Sequence, residues 1–148
     1  MTYLFAVNVK AAATVSVTEL GYSTDAKLRY YEANTTSTIV TFDSTTPLAI
    51  PTCEELDFRY YTITPVLANG WSFVGEINKW VSASKRRFSG LTSSDAEIRV
   101  KATGVSGERV TVAFINTGNT VVSGVCTVGN TNTVEAVVDL ATQTVSCY

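Results

Sequence analysis

Histidine is absent from this chain of 148 residues, and that absence removes more chemistry than any other feature. Without an imidazole there is no Ser–His or Cys–His activation of a nucleophile, and no side chain that ordinarily titrates near neutral pH. The cysteines, Cys53, Cys126 and Cys147, lie too far apart for zinc-ligand spacing, so no metal is expected. The nine glycines sit singly in turns, which excludes a phosphate-cradling loop; no cofactor is expected either. Charge is sparse, with 11 basic against 13 acidic residues and a net charge of −2. That balance gives no electrostatic pull toward nucleic acid or an anionic membrane, and neither is expected as a partner. No apolar run approaches the ~20 residues that span a bilayer as a helix. The opening stretch, Met1 to Lys10, has no basic leader before its apolar residues. It reads as a first strand rather than a signal peptide, although an extracellular setting is slightly favoured.

What the chain does have is β-forming material. Hydrophobic residues make up 45%, enough to argue against disorder. Val, Thr, Ile, Tyr and Phe dominate, and such side chains lose little freedom on a pleated, half-buried surface. Alternating segments recur from end to end. Leu4 to Val9 reads as a strand covered on both faces, and Thr14 to Thr18 alternates cleanly. Lys27 to Tyr31 and Thr38 to Phe42 follow, and a first block of strands ends near Pro47 and Pro51. Phe58 to Thr64 is stopped by Pro65, and Asn69-Gly70 is a hairpin signal leading into Trp71 to Ile77. Glu97 to Lys101, Arg109 to Phe114, Thr120 to Val128, Val134 to Leu140 and Gln143 to Tyr148 complete the pattern. Roughly ten short strands at 8–12-residue spacing predict an all-β fold, a single antiparallel β-sandwich over residues 1–148, with an eight-stranded jelly roll as the nearest variant.

Three cysteines leave at least one thiol free or paired outside the chain. Cys126 and Cys147 lie on two late strand-like segments and can form a disulfide if those strands are neighbours; the alternative is three buried thiols acting as small hydrophobes.

The most unusual stretch, Asn78 to Phe88, mixes aromatic and basic residues. Trp71, Trp80 and Phe88, with Lys79, Lys85, Arg86 and Arg87, can line a groove in which rings stack on sugar faces or bases and cations add to the contact. The competing reading puts the aromatics in the core and leaves Lys85-Arg86-Arg87 as a solvated turn. Among carboxylates, Glu54, Glu55 and Asp57 read as solvated surface. Glu76, between Gly75 and Ile77, reads as a buried acid paired with a nearby Lys or Arg, as the polar side of an edge strand, or as one member of a hydrolytic carboxylate pair. Arg86-Arg87-Phe88-Ser89 has the pattern of a basophilic kinase site, and Asn34-Thr35-Thr36 is a glycosylation sequon if the chain is secreted.

The run from Tyr60-Tyr61-Thr62-Ile63-Thr64-Pro65-Val66 through Asn69-Gly70-Trp71-Ser72-Phe73-Val74-Gly75-Glu76 to Lys79-Trp80 resembles the C-terminal β-sandwich of raffinose-synthase-like and α-galactosidase-like glycosidases. The resemblance covers about residues 55–115, including the turn Val105-Ser106-Gly107-Glu108, and rests mostly on packing residues. It implies an accessory sandwich without catalytic residues, because those enzymes carry their catalytic carboxylates in a separate barrel domain. The expected function is therefore a non-catalytic β-sandwich module that binds carbohydrate or supports a glycosidase. Trp71, Trp80, Lys79, Arg86, Arg87 and Glu76 are its candidate ligand-binding residues. The alternative is a structural, self-assembling subunit of a coat, filament or adhesive, a homo-oligomer whose strand edges carry little charge to keep them apart.

Overall fold

The computed structural model describes residues 1–32 and 38–148, and the sequon at Asn34 lies outside them. Among the described residues every regular element is a strand, thirteen in all, and every pairing is antiparallel. The all-β expectation holds, with more strands than the alternation revealed. The strands gather into two compact units, Met1–Val66 and Leu67–Tyr148, each with its own sheets and apolar cluster.

The first unit contains β1 (Thr2–Val7), β2 (Ala13–Val15), β3 (Leu28–Glu32), β4 (Ile39–Phe42), β5 (Leu48–Ile50) and β6 (Phe58–Pro65). Four strands form a sheet in the order β1-β6-β3-β4, and β2 pairs with β5 as a separate ribbon. Strand periodicity sends Leu28, Tyr61 and Ile63 to the same face as Leu4 and Ala6, where they meet Val17, Phe42, Leu48 and Ile50 in one cluster. The turn after β4 is held by Asp43, whose Oδ1 accepts the backbone N–H groups of Thr45 and Thr46 at 2.9 and 3.1 Å and both threonine hydroxyls. β5 escapes the sequence pattern because three residues between Pro47 and Pro51 are too few to show a period.

The second unit contains β7 (Ser72–Gly75), β8 (Phe88–Ser93), β9 (Glu97–Thr103), β10 (Arg109–Ile115), β11 (Val121–Thr127), β12 (Thr133–Asp139) and β13 (Thr144–Cys147). Two sheets, β11-β10-β7 and β13-β12-β9-β8, enclose a core that includes Trp71, Phe73, Phe88, Ile98, Val100, Val112, Phe114 and Val138. It is a sandwich in the ordinary sense, two inner faces interdigitating. The Asn69-Gly70 turn exists, with Gly70 at φ 80° and the Leu67 N–H donating to the Trp71 carbonyl at 2.7 Å. It is not a hairpin, however: β6 pairs with β1 and β3, whereas β7 pairs with β10.

At one seam of this sandwich the edge strands β11 and β13 are fastened by a disulfide between Cys126 and Cys147, Cα atoms 5.5 Å apart. The bridge reading of those two cysteines is the one realised, and Cys53 is a buried free thiol. Gly124 permits the close approach, since a Cβ there would lie 2.7 Å from the Val145 Cβ.

Candidate functional site

The segment joining β7 to β8 carries most of the expected site residues, and its course follows from glycine geometry. Gly75 has φ 84°, a left-handed conformation open mainly to glycine, and a Cβ there would collide with the Ser82 carbonyl oxygen. The chain folds back at once: the Glu76 N–H donates to that carbonyl at 2.7 Å, and the Lys79 N–H donates to the Glu76 carbonyl at 3.0 Å. At the far end the Arg87 and Phe88 N–H groups both donate to the Ser84 carbonyl.

This return brings Arg87 onto two carboxylates. Its Nε and Nη2 donate to the Glu76 oxygens at 2.9 and 3.1 Å. Its Nη1 and Nη2 donate to the Glu108 oxygens at 3.0 and 2.6 Å, and Nη1 also donates to the Thr103 carbonyl at 2.7 Å. All five donor positions of the guanidinium are used. Lys79 Nζ adds a contact to Glu76 at 2.8 Å. Gly104 makes room beneath, since a Cβ there would meet Glu108 Oε2 and lie 2.7 Å from Arg87 Nη1.

The electrostatics follow from this geometry. Burial acts to raise the Glu76 carboxyl, but hydrogen bonds and charge from Arg87 and Lys79 outweigh it and hold the group below its ordinary value. Glu108 is pulled down to about 2 by hydrogen bonds from Arg87 and from the Val105 backbone N–H. Arg87 is raised in turn, by its bonds to Glu108 and then Glu76. A hydrolytic pair needs one carboxyl kept protonated near working pH and open space between the two groups. Here both acids are held ionised and a guanidinium fills the gap between them. The arrangement is a clamp that ties the β7–β8 connection to the turn before β10, and the paired-acid reading of Glu76 is the one that applies.

The remaining expected residues do not converge. Trp71 is 4% exposed and belongs to the core, whereas Trp80 is 58% exposed beside the equally open Val81. Arg86 and Ser89 are exposed, Ser89 within β8 opposite Lys101. The two indoles thus form no common platform. Glu54, Glu55 and Asp57 are exposed, as expected of solvated surface. Among the described residues no cluster of three or more His, Cys, Asp or Glu is placed to hold a metal ion.

The first unit presents a surface that the alternation did not single out. Phe5 and Val7 point away from the core side of β1 and are 57% and 58% exposed. The strand is therefore not covered on both faces at these positions. In the register of the sheet Phe5 lies opposite Tyr60 and Val7 opposite Phe58, and the Phe5 and Tyr60 rings are 4.5 Å apart. Leu56, wholly exposed, and Phe58 extend the patch into a groove of about 460 Å³. A signal was present: the outward set Tyr3, Phe5 and Val7 is apolar where a solvated strand alternates with polar residues. No protein-family model, curated protein or solved structure matches this chain.

Proposed function

We propose that the chain is a non-catalytic structural subunit that associates with further copies of itself through the outer face and edge of β1. The observation that carries this reading is the cluster of Phe5, Val7, Leu56 and Phe58 on the surface of the first unit. Contiguous exposed apolar patches of this kind mark association surfaces on folded proteins. The strand that bears two of the four lies at the end of the β1-β6-β3-β4 order. Its sequence, Thr-Tyr-Leu-Phe-Ala-Val, contains neither a charge nor a proline, the devices by which edge strands ordinarily refuse new partners. Antiparallel pairing of β1 with its copy about a two-fold axis would bring the same apolar side chains together from both sides, a self-complementary contact. The cysteines leave such an assembly non-covalent, with two joined to each other and the third buried.

Light scattering over a concentration series tests the proposal. A defined assembly at high concentration, unchanged by reductant and abolished by Phe5→Lys with Val7→Lys, is the expected result. A monomer at every concentration overturns it.

A second reading, a carbohydrate-binding module accessory to a glycosidase, is favoured by one observation, the exposed indole of Trp80 next to Lys79. Binding to a glycan array that disappears in Trp80→Ala supports it. No binding, or binding that survives the substitution, removes it.

A further inference from the structure

We propose that the seam between β11 and β13 in the second unit is a binding site for a neutral sugar, a role that rests neither on the β1 face nor on Trp80. A groove of about 460 Å³ opens there, within the range of roughly 300–1,000 Å³ typical of small-ligand sites. Its lining includes Thr127, Thr131, Thr133, Val125, Cys147 and Tyr148, and contains no charged side chain. Three threonines bring hydroxyls and methyls to the lining, and Tyr148 brings an aromatic side chain. That combination suits a pyranose, which presents hydroxyls at its rim and C–H groups on its faces. It does not suit a phosphate or carboxylate ligand, for which no cation is at hand.

The walls are also fixed before any ligand arrives, which reduces the ordering cost of binding. The Tyr148 N–H donates to the Glu135 carbonyl at 2.9 Å, and the Glu135 N–H returns the bond to Tyr148 at 2.9 Å. The backbone is thereby pinned to β12 while the residue stays 78% exposed. The neighbouring Cys147 is tied to β11 by the disulfide. The Gly129–Thr133 turn is closed by Asn132 N–H to the Gly129 carbonyl at 3.0 Å and Gly129 N–H to the Thr133 carbonyl at 3.2 Å. The Thr131 and Thr133 hydroxyls lie 3.1 Å apart, and each keeps capacity for a further bond.

The test is titration of the full chain, without reductant, with the neutral disaccharides cellobiose, maltose and mannobiose and with digalacturonic acid as the charged control. Calorimetry would be paired with NMR observation of the threonine methyls. Saturable binding of a neutral disaccharide is expected, with Thr127, Thr131 and Thr133 signals shifted. Affinity should fall about tenfold or more in Tyr148→Ala, for loss of the stacking ring, and should fall in Thr133→Val. It should be nearly kept in Tyr148→Phe and unchanged in Trp80→Ala or in Phe5→Lys with Val7→Lys. An unaltered unfolding midpoint in Tyr148→Ala separates lost binding from lost structure, and the methyl shifts of the unsubstituted chain decide the matter if it is altered. Absence of saturable neutral-sugar binding, preference for the charged disaccharide, or shifts confined to other residues overturns the proposal.

Discussion

The two units are built from the same kind of strand, yet they are fastened differently. The Met1–Val66 unit closes a four-stranded sheet and a short ribbon over a cluster of Leu, Ile, Val, Phe and Tyr. Between its strands β3 and β6 the Arg59–Glu32 pair spans 3.0 Å. The Leu67–Tyr148 unit adds to its apolar core a disulfide at one seam and a five-donor guanidinium clamp on the β7–β8 connection. The lesson is that two short-stranded sheet units can both rest on apolar burial and differ in the covalent and charged cross-links added to it. In the second unit those cross-links offer single positions, Arg87 and the paired cysteines, at which the contrast can be tested. The two are separable in experiment, because both tryptophans, Trp71 and Trp80, lie in the second unit and six of the seven tyrosines lie in the first.

The largest effect is expected from Arg87→Met. It leaves Glu76, whose side chain is 6% exposed, with Lys79 alone, and removing one partner of a buried ion pair costs about 3–5 kcal/mol. Tryptophan fluorescence should show the loss on denaturation while the tyrosine signal holds its midpoint. Equal shifts of both signals would break the distinction between the units. Next comes the disulfide, which closes a 21-residue separation. Its removal in Cys126→Ala with Cys147→Ala is expected to lower the tryptophan-reported stability by about 3 kcal/mol through the freedom returned to the unfolded chain. Gly75→Ala should cost about 2 kcal/mol in the same signal, since it combines a left-handed φ with a collision at the Ser82 carbonyl.

Acid sharpens the same contrast. Glu76 and Glu108 both lie below the ordinary glutamate value of 4.5 in the folded chain, Glu108 at about 2. A depressed carboxyl contributes its full stability above the unfolded value, and that contribution fades as pH falls from about 4.5 toward 2. The tryptophan-reported midpoint should therefore fall over this window, and the fall should be much reduced in Arg87→Met. A decline of the same size in both chains would detach it from the clamp. The smallest effect on stability, within about 0.5 kcal/mol, is expected from Phe5→Lys with Val7→Lys at exposed positions of the first unit. The same pair of changes should alter association most.

Some of this was readable in the residues. In β9, Ile98, Val100 and Ala102 alternate with Glu97, Arg99 and Lys101, and the buried and exposed sides follow that alternation. β8 was not readable. Phe88-Ser89-Gly90-Leu91-Thr92-Ser93 looks like turn material, buries only Phe88, and becomes a strand because β9 supplies its hydrogen-bond partners. Trp71 and Trp80 are the same residue type nine positions apart, and nothing local says that one enters the core and the other stays in solvent. The passage from Val66 to Leu67 carries no run of glycine, proline or serine to mark where one unit gives way to the next.

By itself the sequence determined the fold class, because β-branched and aromatic residues in short alternating runs favour pleated strands whatever their partners. It also determined which chemistry is missing, because a side chain that is absent cannot be supplied by folding. Tertiary structure alone decided which strands pair, that Cys126 meets Cys147, and that Arg87 stands between Glu76 and Glu108. Each of these is a contact between residues far apart along the chain, set by how the sheets pack and invisible to any local pattern.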